Sequence, residues 1–196
     1  MKPHARIVAL IIAASLAACS TPHDQHASAT SPAPVLPEDW LSETIDFPPG
    51  FAPDLPTGKE DLRFPPGWRK PDSEEFWSYA IVMTLDEPTP GTNRIEEILD
   101  LYYDGLMSAF GVGRDSNEPI DPAQIKVKQT SANHYEAAMH IIDGFATFKP
   151  INIRIKLITE SKSDNRSIVK LRVSPQPDEH KIWAALQAGI EQIPEG

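Results

Sequence analysis

Several clusters of side chains in this chain have the types and the spacing to do chemistry. Six cations, Lys126, Lys128, Arg154, Lys156, Lys170 and Arg172, alternate along strand-like segments and would share one face of a sheet. Such a face would attract an anionic partner, a phosphate- or carboxylate-bearing molecule or an acidic protein. Its plain alternative is a solvated face whose lysines discourage edge pairing. Glu96, Asp100 and Asp104 recur every four residues, so on a helix they form one stripe. A carboxylate stripe can touch a divalent cation, but such sites need loop carbonyls to complete the shell, and a solvated stripe is the expectation. His134, Glu136 and His140 alternate onto one strand face. The His-x-Glu pattern of zinc deaminases requires a Pro-Cys-x-x-Cys partner that this chain lacks, so the trio reads as exposed sheet surface. His23 and His26 have a metal-compatible spacing but lie in a small, polar stretch, and His180 beside Glu179 reads as a surface residue. No metal site is expected.

Aromatic residues offer a second kind of chemistry. Phe47-Pro48-Pro49-Gly50-Phe51 recurs as Phe64-Pro65-Pro66-Gly67-Trp68. Each Pro-Gly pair suits the centre of a type II turn, with glycine supplying the positive φ, and each turn would bring its flanking aromatics together. Phe47, Phe51, Phe64 and Trp68 would then staple a proline-rich arm onto the domain, or form a rigid aromatic lip beside a binding groove.

The rest of the composition narrows the field. With 18 Lys and Arg against 28 Asp and Glu, the 196-residue chain carries a formal charge of −10, which argues against nucleic-acid binding through phosphates. A single cysteine excludes a disulfide framework and any cysteine-rich zinc site. The chain has no Walker A, Gly-x-Gly-x-x-Gly, Gly-x-Ser-x-Gly or His-Glu-x-x-His motif, so no cofactor is expected and no catalytic pair stands out.

That one cysteine carries the sharpest signal. Lys2 and Arg6 precede an apolar run from Ile7 to Ala18, too short for a bilayer span of ~20 residues but suited to the core of a signal peptide. The run ends in Leu16-Ala17-Ala18-Cys19, which resembles the lipobox of bacterial lipoproteins. The resemblance implies cleavage before Cys19 and lipidation of its thiol. Acyl chains contribute about 0.8 kcal/mol per buried CH₂, enough for durable anchoring to a membrane without a spanning helix. Ser20 in place of aspartate implies the outer rather than the inner membrane. Loss of Lys2 and Arg6 would take the charge from −10 to −12.

The elements that must position these residues follow from periodicity. Residues 1–18 read as the signal peptide, 19–37 as Cys19 with a polar tether, 38–73 as the proline-rich arm, and 74–196 as an α+β domain. Strands are expected over 76–85, 124–130, 133–142, 151–158 and 167–174. Ile95, Ile98, Leu99, Tyr102, Leu106 and Phe110 mark a helix, with Asn93 and Glu96 as a capping box. A second helix is expected over 178–193. The reading is an antiparallel sheet of four to five strands with both helices on its apolar face, which would put the basic face and the acidic stripe on opposite sides. Three functions fit: a non-catalytic binding or scaffolding module for an envelope component, an envelope hydrolase with a loop-built site, and a carrier of a small apolar ligand or lipid.

Overall fold

The chain is described by a computed structural model over residues 39–111 and 122–194. The expected signal segment, Cys19, and the tether with His23 and His26 lie outside the described residues.

Among the described residues seven strands form one antiparallel sheet: β1 (Leu41–Phe47), β2 (Gly58–Phe64), β3 (Tyr79–Leu85), β4 (Gln124–Ser131), β5 (His134–Ile142), β6 (Pro150–Ser161) and β7 (Ser167–Ser174). Their spatial order is β1-β2-β3-β7-β6-β5-β4. Helix α1 (Thr92–Ala109) connects β3 to β4, and α2 (Ile182–Glu191) closes the described chain. The α+β class therefore holds, but four to five strands is an undercount. The missing pair comes from the proline-rich segment, which is part of the sheet: β1 pairs with β2 from Leu41↔Phe64 to Phe47↔Gly58, and β2 pairs in turn with β3. Prolines at 48, 49, 53 and 56 confine themselves to the connection between these strands, where no ladder hydrogen bond is needed.

The two helices lie on opposite faces, not on one. Tyr79, Ile81, Met83 and Leu85 of β3 share a core with Ile95, Ile98, Leu99, Tyr102 and Tyr103 of α1. The intervening Ala80 and Val82 pack with Ile182, Trp183, Leu186 and Ile190 of α2. The physical reason stands in β3 itself: Tyr79-Ala80-Ile81-Val82-Met83 is an unbroken apolar run, and such a strand needs cover on both sides. Strands β5 and β6 alternate cleanly because α2 packs mainly over β3 and β7.

Local signals differ in instructive ways. The N-cap of α1 is Gly91, two residues before Asn93, so the expected Asn93–Glu96 capping box does not form and Glu96 instead accepts from Val127 of β4. Helix α2 begins at Ile182, later than expected, after turns through Pro177 and His180. Neither Gly50 nor Gly67 has positive φ, so the Pro-Gly pairs are not type II turns. Gly67 is needed for close approach: a Cβ there would fall 2.1 Å from Ser73 Oγ and 2.7 Å from Glu75 Oε2.

Candidate functional site

A pocket of about 280 Å³ opens between the β1–β3 end of the sheet and the C-terminal half of α1. Strand β1 lines it with Glu43 and Ile45, β2 with Leu62 and Phe64, and β3 with Tyr79. Tyr102, Leu106, Ala109 and Phe110 come from α1 and its end, and three loops add Phe51, Trp68 and Phe145. Seven of these side chains are aromatic.

Each loop aromatic is held by specific contacts. Gly105 lets the β1–β2 loop press against α1, since a Cβ there would stand 2.2 Å from the Phe51 carbonyl oxygen. Phe51 then meets the Tyr102 ring edge-on at 5.3 Å. Trp68 stacks on Phe64 at 4.4 Å, with its N–H donating to Pro65 O and its carbonyl accepting from Trp77 N–H at 2.9 Å. Phe145 sits at the meeting point of Trp68, Trp77 and Phe110, with ring centroids 5.1, 4.5 and 4.7 Å away. Its loop is fixed by the buried Asp143 carboxylate, which accepts from Trp77 Nε1 at 2.7 Å, from Phe145 N at 2.8 Å, and from both N and Oγ1 of Thr147. Burial opposes the Asp143 charge, but the Thr147, Trp77 and Phe145 donors outweigh it and hold the carboxyl below its usual range.

Beneath the aromatic wall lies a buried polar cluster. Glu60, the residue of β2 that precedes Leu62 on the same face, is fully sealed from solvent. Tyr102 Oη donates to its Oε1 at 3.4 Å, while among the described residues its Oε2 has no partner. Burial pushes the Glu60 carboxyl up to about 7, against the Tyr102 hydrogen bond and helped by the neighbouring Glu43 and Asp61 charges. Tyr79 and Tyr103 bond through their hydroxyls at 3.0 Å, and burial raises both above the usual tyrosine range.

Of the four arm aromatics, three line the pocket and Phe47 lies behind, stacked on Tyr102 at 6.4 Å. Phe64 and Trp68 meet directly, whereas Phe47 and Phe51 meet through Tyr102. The six cations do share a sheet face, on the side of α2, but most have acidic neighbours within the domain. Lys156 Nζ lies 2.9 Å from Asp178 and 4.6 Å from the Trp183 ring, and Arg154 lies 3.6 Å from Asp178. Lys170 pairs with Glu160 at 2.7 Å, and Lys126 with Glu96 at 3.0 Å. Lys128 is paired in register with Glu136, and Arg172 is partly buried, which lowers its proton affinity.

The acidic stripe is neither solvated nor remote from the basic face. Glu96 Oε2 accepts from Val127 N at 3.0 Å and Asp104 Oδ1 from Ala123 N at 2.6 Å, so the stripe runs along the β4 edge. Eight helical residues at ~1.5 Å rise match four strand residues at ~3.3 Å, which is why i, i+4, i+8 carboxylates can follow a strand edge. Asp100, between them, has a buried Oδ1 without a partner among the described residues, and its proton affinity is raised by burial and by Asp104 and Glu96. His134 and His140 are exposed, bonded through Nδ1 to Asn133 and Asn152. His180 contacts Glu74 at 3.8 Å. Among the described residues no three His, Cys, Asp or Glu are grouped to hold a metal, and no helix is long and apolar enough to cross a membrane.

Sequence reasoning missed Tyr79, Tyr102, Phe110 and Phe145 as lining residues, and it missed Glu60 and Asp143 as supports. Glu60 carried a signal: Glu60-x-Leu62-x-Phe64 puts a carboxyl at an inward register. No family model, no curated protein and no solved structure matches the chain.

Proposed function

We propose that the chain is a lipid-anchored envelope protein whose domain binds a small ligand, without catalysis, in the aromatic pocket. The lipobox-like Leu16-Ala17-Ala18-Cys19 supports the anchor, and Ser20 supports the outer membrane. One observation carries the binding role: aromatic side chains from three strands or helices and three separate loops converge on a single opening. Concave, mostly apolar sites with few polar groups are where small ligands bind. An aromatic cluster that served only stability would close on itself, as Trp77 does with no exposure, whereas Phe110 remains 41% exposed at this rim. The internal pairing of the basic cations supports the pocket over the basic face as the binding surface.

The test is a pocket-closing variant. Ala109 lines the pocket yet is exposed, so Ala109→Phe fills the opening without disturbing the core. Calorimetric titration of the full chain with choline and with its neutral carbon isostere, dimethylbutanol, should show binding of at least one probe. Ala109→Phe should abolish it while the unfolding temperature changes by no more than a few degrees. Binding that survives in Ala109→Phe, or no binding by the parent chain, would overturn the reading.

A further inference from the structure

We infer that the ligand of this pocket is a small organic cation, an alkylated ammonium with an apolar body. The inference rests on the binding role proposed above and adds the ligand's charge.

Among the described lining residues Glu43 is the one charged group, and none is a lysine, arginine or histidine. A carboxylate at the pocket wall attracts a cation and repels an anion.

Seven aromatic rings wall the pocket, and the negative faces of such rings attract cations. The same rings already hold a cation elsewhere: the Arg69 guanidinium lies 5.3 Å from the Trp68 ring and 5.8 Å from that of Phe145, without lining the pocket.

The pocket, about 280 Å³, has room for a molecule the size of choline.

Calorimetry of the full chain in an alkyl glucoside, which carries no ammonium group, decides the matter. Choline should bind at least about tenfold more tightly than dimethylbutanol, which has the same shape without the charge. Glu43→Gln should erase most of that preference while leaving dimethylbutanol unchanged, and the exposed position makes misfolding no explanation. Equal or tighter binding of dimethylbutanol would overturn the cation inference and leave the pocket as a binding site. Failure of both probes would remove the pocket reading as well. A preference for choline that Glu43→Gln does not alter would overturn the assigned role of Glu43.

Discussion

Burying the Glu60 carboxyl beneath Tyr102 ties the fold to pH. Its proton affinity rises from an ordinary 4.5 to about 7, so the folded chain holds this proton more tightly than the unfolded chain. The sign follows directly: stability from this group is fully present below about 4.5 and is lost as pH climbs through about 7. The loss is on the order of 3 kcal/mol. Glu60→Gln keeps an acceptor for Tyr102 and removes the buried charge. It should flatten the dependence and raise stability at pH 8 by about 2 kcal/mol, as measured by denaturant unfolding at several pH values. Parallel curves for the two proteins would show that the pH dependence arises elsewhere. In the sequence Glu60 was visible only as a charge in step with the apolar Leu62 and Phe64. Its consequence depends on Tyr102, forty-two residues away, and no local pattern reports such a contact.

The meeting of α1 with the β4 edge shows how far periodicity carries. Ile95, Ile98, Leu99 and Tyr102 correctly placed the buried side of the helix. The stripe on its flank was legible as a stripe, but its task was not, because exposed and edge-capping carboxylates have the same spacing. Glu96 is held below the usual carboxylate range by the Val127 amide and by Lys126, as expected for an acceptor fixed in place. Asp104→Ala should lower stability by about 1–2 kcal/mol by leaving the Ala123 amide unpaired. Glu96→Ala should speed hydrogen exchange at Val127 at least about tenfold. Glu97→Ala, which touches only Arg94 in an exposed pair, should do neither. If all three variants exchange alike, the carboxylates do not guard this edge. Strands β1 and β2 failed to register for a related reason. Their prolines signal irregular chain, and their charged residues, such as Glu43, Lys59 and Asp61, mask an alternation that pairing with β3 reveals.

The molecule as a whole divides its two sheet faces between different tasks. One packs α1 and opens into the aromatic pocket; the other holds α2 and the largely self-paired basic residues. Charge patterning announced the basic face from the sequence, yet the pocket needed residues from β1 to the β5–β6 loop to be folded together before it existed. On the account proposed here the domain presents this pocket from a lipid anchor. Cys19→Ala should therefore move the protein from the membrane to the soluble fraction, and retention in the membrane would contradict the anchor. The binding claim itself is tested most directly by the indole N–H resonances of the full chain during titration with choline. Trp68 lines the pocket, Trp77 stands one layer behind it, and Trp40 and Trp183 pack on the opposite face. The account predicts a saturable shift of the Trp68 resonance, a smaller one at Trp77, and none at Trp40 or Trp183. A Trp68 resonance that stays fixed while choline binds, or a shift confined to Trp40 and Trp183, would contradict it.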